Sequence, residues 1–256
     1  LIPSNQISAR THSHTAGATS TPYQQTLHHQ NRDNIPWGDY FQCPKDDDKI
    51  TRLYSINLNG IGTQKDKHGS SFDTVAFGML QQQQLSHDID ILGTSETNIH
   101  WQSNDSYSKA HSLLNKGARG TNLITSCSPL TPHPHSVYQP GGTALIVNAN
   151  LAARIHHRHK DAFGRWCGVT LRGRGGRTIL LLQVYQVPQH SNAGSSTAFS
   201  QQRSLLRQQG RTESPRQAFI TDLSSFLHQA RQAQPTLALI IMGDVNDNTS
   251  RPHSSF

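Results

Sequence analysis

"IIMGDVNDN" occupies residues 240–248, and its reading decides the fold. An apolar run, continued upstream in "TLALIIMGDVND" (236–247), stops at Gly243 and gives way to Asp244 and Asn246. A short apolar run closed by a glycine reads as a buried strand that ends in a turn. With both alternating sets apolar, it is expected to be a central strand, buried on both faces.

Upstream of it, "SPRQAFITDLSSFLHQARQ" (214–232) predicts a helix, with Ser214 as N-cap, Pro215 at the first helical position, and Phe219, Leu223, Phe226 and Leu227 on the apolar face. "SSTAFSQQRSLLRQQG" (195–210) predicts another, ending at Gly210. The middle reads as strands bounded by Gly, Pro or Asn: "TNLITSCS" (121–128), "GGTALIVNAN" (141–150), "RWCGVTLRG" (165–173) and "RTILLLQVYQV" (177–187). The last two are joined by the Gly-rich "LRGRGGRT" (171–178) and predict a hairpin. Near the front, "KITRLYSINLNG" (49–60) is a strand ending in an Asn59-Gly60 turn, and "IDILGTSET" (89–97) a strand running into polar residues. Between them "SFDTVAFGMLQQQQLSHD" (71–88) predicts an amphipathic helix with Phe72, Val75, Ala76, Met79 and Leu80 inward. Strand–helix–strand units at both ends and a hairpin-rich middle predict an α/β protein, two sheets packed together with helices outside.

Residues 1–48 are polar and aperiodic, too poor in apolar surface to offset their ordering entropy, and read as a disordered lead; the domain proper is expected over 49–256. Hydrophobic residues make up only 33% of the chain, so the core must come from these clustered runs. The net charge of +7 suits a polyanionic partner as well as it suits a merely basic surface. Three scattered cysteines, Cys43, Cys127 and Cys167, form no CxxC pair, which argues against a zinc site or disulfide framework and for a reducing, intracellular setting. No apolar run approaches a membrane span.

Three predicted strands end in acid or amide side chains: Asn57 and Asn59, then Glu96, then Asp244 and Asn246. Strand ends are where layered α/β proteins place their sites. Glu96 and Asp244 are hard oxygen donors suited to Mg²⁺ or Mn²⁺, and the amides can orient water or phosphate oxygen without adding charge. Taken singly, each is more often a turn or cap residue; their shared position past apolar strands changes the balance.

"ITRLYSINLNGIG", "DIDILGTSET", "GGTALIVN", "GRWCGVTLRG", "LLLQVYQVP" and "IIMGDVN" stand in an order that resembles the endonuclease/exonuclease/phosphatase superfamily, the deoxyribonuclease-I-like fold. The resemblance covers about residues 49–248 and is nearest to apurinic-type endonuclease domains of non-LTR retrotransposons. It implies a four-layer α/β sandwich and a metal-dependent DNA-nicking endonuclease, nuclear or cytoplasmic, with a reverse transcriptase downstream. It implies Glu96 as main metal ligand, with Asn59 assisting and Asn57 in the phosphate and metal site. Tyr185 would point its hydroxyl at the scissile phosphate; from the residues alone it reads as a core aromatic. Asp244 would position or deprotonate the attacking water, and Asn246 would hold the phosphate. The family closes with a further Asp and a Ser-Asp-His-type ending, which "TSRPHSSF" (249–256) does not supply. The chain is therefore expected to be a C-terminally truncated piece with little or no nuclease activity. A phosphatase of the same fold acting on phosphoinositides, or a non-catalytic nucleic-acid-binding remnant, are the alternatives. "RIHHRHK" (154–160) could touch phosphates but reads first as a solvated loop, as does "PHPH" (132–135).

Overall fold

The computed structural model describes residues 50–61, 63–66, 69–130, 138–189, 194 and 196–247. All lie in the compact unit Gln42–Phe256. The lead 1–48, the "PHPH" segment and residues 248–256 fall outside the described residues.

Two four-stranded mixed sheets carry the fold. In the first the order is β1 (Leu53–Asn57), β4 (Ile91–Ser95), β6 (Thr143–Val147), β5 (Asn122–Ser126). In the second it is β10 (Ala238–Asp244), β9 (Thr178–Tyr185), β8 (Trp166–Arg172), β7 (Ile155–Lys160). Each sheet has one parallel pair, β1 with β4 and β10 with β9, followed by two antiparallel pairs. A small hairpin, β2 (Thr63–Asp66) with β3 (Gly69–Phe72), stands apart.

Strand alternation sorts the core into three layers. Between the sheets lie Ile91, Ile124, Leu145, Val147, Val169 and Leu181. The opposite face of the first sheet, through Leu92, Leu123 and Ile146, packs on α1 (Thr74–Ser86) and α2 (Asn104–Gly117) by Phe77, Leu80, Ala110 and Leu114. The outer face of the second sheet, through Trp166, Leu180, Leu182 and Val184, packs on α5 (Pro215–Ala233) by Phe219 and Leu223. Beside it, α4 (Ala198–Gln208) and the Leu205–Leu206 pair pack with Phe163 and Ala218. The architecture is thus α/β/β/α, as the strand pattern predicts.

Four local expectations are corrected. First, β10 is not central: among the described strands it pairs only with β9, and its residues are half-buried or exposed, Ile241 at 39%. Second, α1 begins at Thr74, where the Asp73 carboxylate caps the Val75 and Ala76 N–H groups, so Phe72 belongs to β3. Third, its buried face is Phe77, Leu80, Gln81 and Gln84, while Val75 and Met79 are exposed. The glutamines can be buried because each finds partners: Gln81 Nε2 donates to Leu114 O, and Gln84 Nε2 to Asn148 Oδ1. Fourth, "RIHHRHK" is no loop; Ile155–Lys160 forms strand β7, antiparallel to β8, with an irregularity between Ile155 and His157. The β8–β9 hairpin forms as expected, its turn a short 3₁₀ segment in which Gly175 and Gly176 take φ of +65° and +74°. A short helix, α3 (Ala149–Ala152), follows β6, and α2 is an element the strand-and-helix pattern of the sequence leaves unassigned.

Candidate active site

The parallel pairs β1–β4 and β9–β10 point their carboxyl ends to one edge of the sandwich. Along the inner faces, apolar residues give way there to polar ones. Asn57 ends β1, Glu96 follows β4, Tyr185 ends β9 and Asp244 ends β10.

These four side chains meet. Asn57 Nδ2 donates to Glu96 Oε2 at 3.0 Å and to Asp244 Oδ2 at 2.6 Å. The Tyr185 hydroxyl donates to Glu96 Oε1 at 3.1 Å. The Asn57–Asp244 and Tyr185–Glu96 bonds both cross from one sheet to the other. Asn59 and Asn246 join by their backbones: Asn59 N–H donates to Asn57 Oδ1 at 2.8 Å, and Asn246 N–H to Asp244 Oδ1 at 2.9 Å. These two Asx-type turns fix the side chain two residues earlier. The Asn246 amide is directed to Gln186 O at 2.8 Å rather than to the carboxylates. The Asn59 side chain is exposed beside the cluster.

The loops that present these groups are tightly wound. Asn59, Glu96, Asn98 and Asn246 all have positive φ, between 45° and 55°, a region that costs energy for a side-chain-bearing residue and recurs at functional sites. Gly243 has φ +140°, and a Cβ there would lie 2.0 Å from Val184 O. Only glycine lets β10 lie against β9 at this point and deliver Asp244 beside Tyr185. Beyond the sheet, Gly60 N–H bonds Glu96 O at 2.7 Å, and Asn98 N–H bonds Gly141 O at 2.8 Å, so the Glu96 loop is held on both sides.

Tyr185 is 2% exposed yet keeps its hydroxyl on Glu96. Burial first, then the charges of Glu96 and Asp244, hold its phenol well above its ordinary value. It therefore remains a neutral hydrogen-bond donor throughout the physiological range. Tyr138, 37% exposed, is a neighbour the sequence does not mark: burial and the Glu96 carboxylate raise its phenol as well.

Two carboxylates thus converge on one neutral amide, and among the described residues no ion pair reaches either. The described residues contain no group of three His, Cys, Asp or Glu placed to hold a metal. A soft-ligand cage is therefore absent among them. The donor set suits an ion that takes a few hard protein oxygens and keeps much of its water, as Mg²⁺ does.

Further side chains support the cluster. Arg216, in the first turn of α5, donates to Asn246 O and Val187 O, both at 3.0 Å, and pairs with Asp247 at 3.4 Å. Gln183, Ser95 and Ser55 lie one layer beneath it. None is visible as a site residue from sequence: Arg216 reads as a helix-surface cation, and the others as tolerated polar residues within strands.

No protein-family model and no curated protein matches the sequence. Among solved structures the chain is similar to the human Nocturnin catalytic domain with bound sulfate, at 17% identity over 68% of this chain and 58% of that one, with a TM-score of 0.43. It is similar to a β-hairpin deletion mutant of beta toxin from Staphylococcus aureus (12% identity, 80% and 70% covered, TM-score 0.48). It is also similar to an endonuclease/exonuclease/phosphatase family protein from Bacteroides thetaiotaomicron (10% identity, 69% and 55% covered, TM-score 0.38). The chain spans less than two thirds of the Nocturnin domain and of the Bacteroides protein.

Proposed function

We propose that the strand-end cluster is a phosphodiester-hydrolysis site that works with Mg²⁺ or Mn²⁺, and that its substrate is DNA. The observation that carries this reading is the convergence of Glu96 and Asp244 on Asn57 Nδ2, with the neutral Tyr185 hydroxyl on the same Glu96. Two acids held together with no cationic side chain on them among the described residues are arranged for a cation from solution. The ion, held by Glu96 with an amide or Asp244 oxygen, would supply charge neutralisation at the phosphoryl oxygens and at the leaving alkoxide.

The protein groups have separate tasks. Asp244 accepts a proton from the attacking water, or orients it, while the phosphorus–oxygen bond to the leaving group breaks. Asn57 is fixed by its two carboxylate bonds and by Asn59 N–H, so it offers a preset dipole rather than a mobile one. Tyr185, kept protonated, donates without adding charge. The basic balance of the chain, with pI near 9.6, favours a polyanion over a neutral substrate.

The finer reading is a DNA-nicking endonuclease of a retroelement, working in the nucleus or cytoplasm, with a reverse transcriptase beyond the present sequence. Supercoiled-plasmid nicking with Mg²⁺ tests the reading. Metal-dependent nicking lost in Glu96→Ala is expected. Nicking undiminished in Glu96→Ala would overturn the assignment of the site. Salt-dependent DNA binding without any metal-dependent cleavage would favour the non-catalytic remnant, and release of phosphate from phosphoinositides would favour the phosphatase.

A further inference from the structure

One buried amide lies directly beneath the site. Gln183 in β9 is 0% exposed and projects between the two sheets. Its Oε1 accepts a hydrogen bond from Ser55 Oγ of β1 at 3.1 Å. Its Nε2 donates to Ser95 Oγ of β4 at 2.7 Å, and Ser95 Oγ donates in turn to Val184 O at 2.9 Å. The backbone makes room for it: a Cβ at Gly93 would lie 2.0 Å from Gln183 Oε1 and 2.6 Å from Met242 Cε. Around it the inter-sheet cluster is apolar, with Ile91, Leu145, Val169 and Leu181, and Cys167 Sγ adds a long bond across the sheets to Ile124 O at 3.5 Å.

The placement of these three residues follows the site. Ser55 precedes Asn57 by two positions, and Gln183 precedes Tyr185 by two, so each shares a strand face with the residue about 6.6 Å above it. Ser95 directly precedes Glu96, and Val184 O is the atom against which Gly243 packs to deliver Asp244. Both bonds that close the site, Asn57–Asp244 and Tyr185–Glu96, run between sheets. Their lengths depend on the slip of one sheet over the other. Apolar burial is non-directional, whereas hydrogen bonds fix distance and angle.

We propose that Gln183 is a positioning residue: the Ser55–Gln183–Ser95 bridge sets the inter-sheet register that brings Asn57, Glu96, Tyr185 and Asp244 within hydrogen-bond reach. As a statement about ion binding, the proposal rests on the function proposed above; as a statement about register, it does not.

The test substitutes Gln183→Met, which keeps length and volume and removes both hydrogen bonds, with Ser95→Ala as a smaller deletion should Met not fold. Two readouts are taken on the full chain. The first is the NMR signal of the Asn57 side-chain NH₂ group, held between two carboxylates; it should move toward the position of a free amide. The second is Mn²⁺ affinity by electron paramagnetic resonance, which should weaken about tenfold or more. Val169→Ala, in the same layer but away from the bridge, serves as a control: it should lower Tm and leave both readouts unchanged. An unmoved Asn57 signal in Gln183→Met and in Ser95→Ala overturns the register claim. An affinity loss in Val169→Ala equal to that in Gln183→Met overturns it in favour of plain stability. If the unsubstituted chain binds no Mn²⁺ while the Asn57 signal still moves, the hydrolase reading fails and the register claim stands.

Discussion

Gly243 is where a single atom decides the site. With φ at +140° and Val184 O where a Cβ would sit, Gly243→Ala forces β10 away from β9 or strains the turn. The expected cost is about 2–4 kcal/mol, from a sparsely populated backbone region and a steric clash together. Thermal denaturation checks it, and a variant within about 1 °C of the parent Tm would contradict this reading, since 1 kcal/mol shifts Tm by about 2–4 °C in a chain of this size. Asn57→Ala should do the reverse. Exposed and outside the core, it should leave Tm nearly unchanged while removing the bond to each carboxylate. The Asn57, Glu96 and Asp244 positions were legible in the sequence because apolar runs end on them. Tyr185 was legible only through resemblance, since a buried strand tyrosine is ordinarily core. Gln183 and Ser95 were not legible, because their meaning lies in a contact between residues 88 apart in the chain.

Among the elements, α5 is the clearest case of local signals agreeing with tertiary packing. Ser214 Oγ accepts from Gln217 N–H at 3.2 Å, and Ser214→Ala should lower stability by about 1 kcal/mol, readable by denaturant titration. The helix is also tied to β8 by charge. Arg165, buried, bonds Asp161 and Asp222, and Asp222 bonds Arg211 from the loop before the helix. Burial opposes ionisation of Asp222, but the bonds from Arg211 and Arg165 outweigh it and hold its carboxyl below its ordinary value. A depressed folded-state value contributes stability that is present above the unfolded value, about 3.9, and is lost as pH falls through the folded one. Tm should therefore drop on acidification below about pH 4, and drop less steeply in Asp222→Asn; equal slopes would contradict the assignment. The elements the sequence misplaced share one physical cause. β7 looked like a loop because all of its residues after Ile155 are His, Arg or Lys, yet pairing with β8 makes it a strand, and a charged edge discourages further pairing. β10 looked central because it is apolar throughout, but burial depends on neighbours that the run itself does not specify. In α1 the expected apolar stripe lost to glutamines that could hydrogen-bond, while Val75 and Met79 stayed in solvent.

At the scale of the molecule, the site belongs to neither sheet alone. Asn57 and Glu96 come from one, Tyr185 and Asp244 from the other, and the cluster exists only where the carboxyl ends of the two parallel pairs coincide. The layered class was legible from alternating strand and helix patterns, whereas the strand order was not, because periodicity carries no information about which strands pair. The proposed function has the two acids that meet on one amide across this seam bind a divalent cation. Titration of the chain with Mn²⁺, followed by the fall in the free-ion electron paramagnetic resonance signal, tests that claim most directly. A saturable site that Mg²⁺ displaces and that Glu96→Gln abolishes is the predicted result. The absence of saturable binding, or binding undiminished in Glu96→Gln, would contradict it.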